Sequence, residues 1–321
     1  MRVFDQSDGF GASPHNRTVN SRIGEGAPEL TWYEHPDQPK LRRAMSNSFQ
    51  SSALRASAPL GVAVIACAMA LGCAAHSGGA TGSSYTPDRQ SEAEYDLARD
   101  AWIRRGDARE GLAHALKATE IDDENAEAHH LVALLYLDLC QKLAQDCRLA
   151  DAEREAGRAL KLRGDFREAR NTLGVVLIHE HQYKQAIEIL EPLTKDILYT
   201  SPESAWGNLG WAYLEVGKLD ESRDALLRSI AAQPRFCVGH YRLGLVYERL
   251  GHAEAAVESF SNALQADSRC SGLQDALLHR AKAHLSLGQK APAQIDLSRC
   301  AQLSLSTLTG KECESIRLKI K

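Results

Sequence analysis

Apolar and small residues recur at two spacings along this chain. Within a unit they fall three and four apart, as at Trp206, Leu209, Gly210, Tyr213 and Gly217, which is one stripe of a helix. Between units they fall 34 apart: Gly210 and Gly244 form one such pair, Gly217 and Gly251 another. The first unit continues through Leu226 to Pro234, and the second reads His240, Leu243, Gly244, Tyr247, Gly251, Ala256, Phe260, Ala263. This pattern predicts a pair of antiparallel helices in each unit. Gly210 and Gly244 let the two helices approach closely, Gly217 and Gly251 end the first helix, and Ala256 and Ala263 keep the second one thin.

Weaker copies flank these two. One is centred on Leu173, Gly174, Leu177, Tyr183, Ala186 and Leu190, another on Leu277, Ala281, His284, Gly288, Ala293 and Leu297. Near the start of the array, Tyr95, Trp102, Gly106 and Ala118 fall at matching offsets, and Ser91 with Glu94 reads as a capping box. The unit from Ala126 to Leu162 keeps Tyr136, Ala152, Ala156 and Ala159 but carries about seven extra residues between its helices. These residues identify the tetratricopeptide repeat. The expected fold is therefore all-α: a solenoid of six helical hairpins and a C-terminal capping segment over residues 91–321.

The chain ahead of the array is organised differently. Residues 1–44 lack apolar periodicity, are rich in Gly, Pro, Asn and Asp, and read as disordered. An apolar run from Ala58 to Leu71 follows, too short for the ~20 residues of a spanning helix but the length of a signal-peptide core. Arg55 precedes it, and Met45, just upstream, is the expected translation start, which makes 45–72 the signal peptide. Leu71-Gly72-Cys73 resembles the lipobox of bacterial lipoproteins, in which the chain is cut before a cysteine that becomes lipidated. The resemblance implies lipidation at Cys73. Val64-Ile65-Ala66-Cys67 fits the same letters, but cutting there would leave Ala68 to Leu71 as an apolar start to the mature chain. Ala74 follows Cys73 without the Asp associated with inner-membrane retention, so the resemblance points to the outer membrane, facing the periplasm. Residues 73–90, rich in Ser, Gly, Thr and Ala, form a tether whose 18 residues would span about 23 Å as a random coil.

Removing residues 1–72 takes away 7 basic and 6 acidic side chains and leaves 31 and 36, a net charge near −5. That balance argues against a nucleic-acid partner. Six cysteines remain beyond Cys73, and an even count in an exported chain favours disulfides over small buried thiols. Fifteen connectivities are open. Neighbours in sequence form the simplest set, each closing a loop worth about 2.5 to 4 kcal/mol. Cys140 and Cys147 would pin the insertion. Cys237 opens one helix of a hairpin and Cys270 closes the other, ends that antiparallel packing brings together, and Cys300 with Cys313 would clip a final helix over the last hairpin.

A rigid curved array offers a long inner groove and no enclosed pocket, so the expected role is protein binding, with no catalysis, no cofactor and no small-molecule substrate. His179, Glu180 and His181, and likewise His129 and His130, lack the His-Glu-x-x-His spacing that sets two imidazoles over zinc, so no metal is expected. In this repeat, positions one, four and eight residues beyond the opening of the first helix face the groove. They include Asn171 and Val175, Gly207 and Trp211, Tyr241 and Leu245, with Ile178 and Leu214 continuing the line. Exposed, such a stripe would suit an amphipathic segment of a partner; the alternative is that these side chains pack against the adjoining hairpin.

The spacing from Gly174 to Gly210 is 36, and the connection reads LTKDILYTSPESAWGNLGWAY, with Ser201 and Pro202 as a helix start. Leu198-Tyr199, Pro202-Glu203, Ala205, Asn208 and Gly210 resemble the linker and repeat of the type IV pilus pilotin lipoproteins, the PilF/PilW/Tgl group. Gln233-Pro234-Arg235-Phe236-Cys237, followed by Gly239-His240-Tyr241-Arg242-Leu243-Gly244, resembles the Tgl branch. The resemblance implies an outer-membrane lipoprotein whose partner is a subunit of the pilus secretin. The Cys140–Cys147 insertion and the extra cysteines depart from the simpler pilotins.

Overall fold

The computed structural model describes residues 86–142 and 146–320, and every regular element among them is helical. Six hairpins follow one another: α1 (Pro87–Arg99) with α2 (Ala108–Ile121), α3 (Ala126–Lys142) with α4 (Leu149–Leu162), and α5 (Arg167–His179) with α6 (Tyr183–Leu193) form the first half. The second half pairs α7 (Pro202–Glu215) with α8 (Leu219–Ala232), α9 (Cys237–Leu250) with α10 (Ala253–Gln265), and α11 (Gln274–Ser286) with α12 (Lys290–Leu303). A last helix, α13 (Leu308–Lys319), packs on α12 and α11. Each hairpin touches the next, and the first helices of successive hairpins also meet, which is the connectivity of a solenoid. The chain is a tetratricopeptide-repeat solenoid.

The small residues have the tasks their spacing predicts. A Cβ on Gly244 would lie 2.4 Å from the ring of Phe260, one on Gly210 would lie 2.7 Å from Leu226, and one on Gly174 would lie 2.5 Å from Leu190. Without those three glycines α9, α7 and α5 could not rest on α10, α8 and α6. Gly217 and Gly251 instead have open space around them and a φ of 77°, so they supply the left-handed residue that ends a first helix. His181 takes that place in the third hairpin with a φ of 61°, the one non-glycine residue with positive φ among the described residues. Ala256 and Ala263 are wholly buried between helices.

Two helix starts differ from expectation. Ser91 is not a cap: α1 opens four residues earlier, at Pro87, because proline's fixed φ suits the first helical position. Inside the helix the buried Ser91 hydroxyl donates to Ala118 O (2.9 Å) and accepts from Asn125 Nδ2 (2.8 Å), while Glu94 pairs with His114 and Lys117. Ser201 does precede α7 with Pro202 at its first turn, but its hydroxyl makes no capping bond. After α1 the chain continues as a π-helical turn, Asp100–Arg104, which carries Trp102 to Asp138 of α3 (Nε1 to Oδ2, 2.9 Å).

The insertion is spent partly on length. α3 has 17 residues where α7 and α9 have 14, and it is buried on every side along 128–139. A disulfide joins Cys140 at its end to Cys147, a second joins Cys237 to Cys270 across the fifth hairpin, and a third joins Cys300 of α12 to Cys313 of α13.

Candidate partner-binding face

The first helices of the third, fourth and fifth hairpins lie side by side, and a ladder of polar side chains crosses them. Asn208 of α7 donates to Asn171 Oδ1 of α5 (3.0 Å) and accepts, through its own Oδ1, from Arg242 of α9 (3.0 Å). The same guanidinium donates to Gly207 O (2.9 Å) and lies 4.5 Å from the centroid of the Trp211 ring. His179, at the end of α5, meets that indole edge-on at 5.2 Å, and the indole N–H donates to Glu215 (3.2 Å). Arg249 closes the far side, donating to Leu214 O and pairing with Glu215 at 3.7 Å.

Burial sets the charges here. It pulls the Arg242 guanidinium down to about 9, still protonated at neutral pH. Burial also pushes the His179 imidazole down to about 4, assisted by the positive charge of Arg242, so His179 is neutral at pH 7. Its buried Nε2 has no hydrogen-bond partner.

The predicted stripe is only partly available. Asn171, Ile178, Leu214 and Tyr241 are buried, and so is Gly207. Ile178 packs with Leu177, Leu209 and Ala212, Leu214 with Leu226, Leu243 and Val246, and Tyr241 against Phe260 and His279. Of the two readings, packing against the adjoining hairpin holds for these residues, and the partner-binding stripe is not continuously exposed. These first helices sit close enough for their apolar side chains to reach the neighbouring hairpin, and only Val175, Trp211 and Leu245 remain half-buried at the surface. The polar members, His179, Glu215, Arg242 and Arg249, were missed. Arg242 had a signal, as a lone charge in the apolar run from Cys237 to Tyr247. His179 carries no signal beyond its place in the His179-Glu180-His181 run, whose spacing argues against zinc.

The other histidines diverge. His129 bonds Glu155 (2.6 Å) and Asp123 O, His130 bonds Thr172 (2.9 Å), and His181 bonds the Tyr183 hydroxyl (2.6 Å). Among the described residues no group of three or more His, Cys, Asp or Glu is placed to hold a metal, and no helix is long and apolar enough to cross a membrane. Cys73 lies outside the described residues.

The tetratricopeptide repeat family matches residues 203–236 and 239–270, the hairpins that carry Trp211, Arg242 and Leu245. In sequence the chain is similar to the type IV pilus assembly protein PilF of Pseudomonas aeruginosa, 28% identical over 144 residues that cover 42% of this chain and 54% of that one. The chain thus spans about half the length of the curated relative it matches. Solved structures share the fold. PilW, described as a widely conserved type IV pilus biogenesis factor, superposes with a TM-score of 0.58 at 23% identity, over 69% of this chain and 97% of its own. Pseudomonas aeruginosa PilF gives 0.55 at 18%, over 72% and 100%. A tetratricopeptide repeat protein from Parabacteroides merdae gives 0.57 at 16%, over 71% and 84%. This chain has the tetratricopeptide-repeat fold, and part of it is similar in sequence to the pilus assembly protein PilF.

Proposed function

We propose that this protein is an outer-membrane lipoprotein that acts as a pilotin, promoting the outer-membrane localisation and multimerisation of the type IV pilus secretin. The observation that carries the reading is the sequence relation to a pilus assembly protein, joined to a half-open inner face at Val175, Trp211 and Leu245. Acyl chains on Cys73 hold the protein at one leaflet. The inner face of α5, α7 and α9 grips a secretin subunit, with the aromatic and aliphatic side chains as anchors and the His179–Trp211–Arg242 stack as a rigid floor beneath them. Tethering raises the local concentration of subunits at the membrane and so favours the ring. No covalent step is involved; the protein works by holding.

A second reading is a general envelope scaffold, which binds another assembly factor or a wall enzyme through the same face. It asks only for the fold, which a tetratricopeptide repeat protein from Parabacteroides merdae shares at a TM-score of 0.57, between the 0.58 and 0.55 of the two pilus proteins. Pull-down of the protein from detergent extracts, probed for secretin, separates the two. Secretin in the eluate supports the pilotin, and wall enzymes without secretin support the scaffold.

A further inference from the structure

The two long edges of the solenoid differ in chemistry. One edge is made by the turns inside the hairpins, at 105–107, 146–148, 180–182, 216–218, 251–252 and 287–289; among the described residues no exposed large aliphatic lies in these turns, and two, Ile103 and Leu318, lie at helix ends beside them. The other edge is made by the connections between hairpins and the helix ends that flank them, and among the described residues it carries five of the ten exposed large aliphatics: Ile197, Leu198 and Leu305 in connections, Leu303 at the end of α12 and Leu308 at the start of α13. Connections are ordinarily built from Gly, Pro and short polar residues, so bare aliphatics there need a reason.

The pair at 197 and 198 is displayed, not merely left over. Ile197 is 96% exposed and Leu198 66%, on a turn held at both ends. Asp196 Oδ1 accepts from the Leu198 amide (2.9 Å) and its carbonyl accepts from the Tyr199 amide (3.1 Å). Asp196 Oδ2 accepts from Arg167 Nε (2.7 Å), and the Tyr199 side chain is buried with Leu193 and Ala205. A loop fixed this firmly gives its two aliphatics no route back to the core.

The same edge holds the start of α1. Contacts trace it from the start of α1, where Ser91 meets Ala118 and Asn125, through Arg163 with Glu127 and Arg167 with Asp196, to Arg235 with Asp267 (2.7 Å) and Gln274 with Ser304 O (2.8 Å). Cys73 lies 14 residues before Pro87, within about 48 Å of chain. An acyl anchor on Cys73, as proposed above, would therefore join the solenoid through the start of α1, at the edge that bears the aliphatics.

We propose that this edge is a second, non-covalent contact with the lipid surface, in which Ile197 and Leu198 dip into the headgroup and acyl boundary and Leu303, Leu305 and Leu308 support them from the far end. The inference rests on the lipid anchor of the proposed function. It adds an orientation: the between-hairpin edge faces the bilayer and the edge of hairpin turns faces away from it.

The test uses the lipidated full chain, reconstituted into vesicles of phosphatidylethanolamine and phosphatidylglycerol. A bimane probe is attached to Ile197→Cys in one preparation and to His252→Cys, on the opposite edge, in another, after the native disulfides have formed. Ile197 is almost fully exposed, so its replacement leaves the fold intact, as unchanged circular dichroism would show. At an insertion depth of ~5–10 Å, doxyl lipids should reduce emission at 197 by about half and leave emission at 252 nearly unchanged. Protein that floats with the vesicles but shows no quenching at 197, or equal quenching at both positions, overturns the second contact and leaves the anchor standing. Crosslinking of two copies through position 197 without lipid overturns it in favour of a dimer. Protein that does not float overturns the anchor itself, and the inference with it.

Discussion

The guanidinium carbon of Arg242 lies 4.5 Å from the centroid of the Trp211 ring, while its Nη1 donates to Gly207 O and Asn208 Oδ1 on the same helix as the indole. A buried cation is costly unless acceptors and a polarisable face replace water, and here α7 supplies both. The pair therefore ties α9 to α7 and holds Trp211 in position at the inner face.

Replacing Arg242 with Ala removes the cation and leaves the carbonyl of Gly207 and the amide oxygen of Asn208 without their donor. Arg242→Ala should lower the unfolding free energy by about 2–3 kcal/mol, measured by urea denaturation. A loss below about 0.5 kcal/mol would show that water replaces the guanidinium without cost.

Gly244 and Gly251 should answer differently to alanine. At Gly244 the added methyl meets the Phe260 ring, so Gly244→Ala should cost about 2–3 kcal/mol, and Phe260→Leu in the same chain should return part of it. At Gly251 there is space but a positive φ, so Gly251→Ala should cost about 1 kcal/mol and no second substitution should rescue it.

The disulfides should rank by loop length. Breaking Cys237–Cys270, which are 33 residues apart, with paired serines should cost about 3–4 kcal/mol, and breaking Cys140–Cys147, 7 apart, about 2.5 kcal/mol. Thermal denaturation of the two double variants gives the order directly.

Glu180 predicts a pH response. Burial, and then its hydrogen bond to the Glu153 carboxyl, raise its pKa from 4.5 to about 7. Below 4.5 the group is protonated folded and unfolded alike; from there to about 7 it ionises only in the unfolded chain, so stability falls as pH rises through that window and is level above it. Glu180→Gln should raise the melting temperature at pH 8 by about 1–3 °C and change it little at pH 4, since solvent screens this partly exposed pair.

Much of this architecture was readable in the chain. Gly174, Gly210 and Gly244 mark helix–helix contacts because no other residue fits against Leu190, Leu226 and Phe260, and such a steric requirement leaves a mark at one position. The paired cysteines were readable for a similar reason, since hairpin geometry brings their neighbours together. The inner face was not. Whether Ile178, Leu214 and Tyr241 meet solvent or the next hairpin depends on how closely successive first helices stack, a distance set by all their contacts together. Ser91 misled for a local reason: its pattern with Glu94 fits a cap, but Pro87 starts the helix first and the hydroxyl turns inward to Ala118.

The central claim is that the inner face at Trp211 and Leu245 grips a secretin subunit and so drives ring assembly. Its most direct measurement is the amount of heat-resistant secretin multimer in cells lacking the gene and complemented with wild-type protein or with Trp211→Glu/Leu245→Glu, after circular dichroism confirms that the variant folds. The account predicts multimers with the wild-type chain and monomers with the folded variant. Intact multimers in cells without any copy of the gene would contradict it.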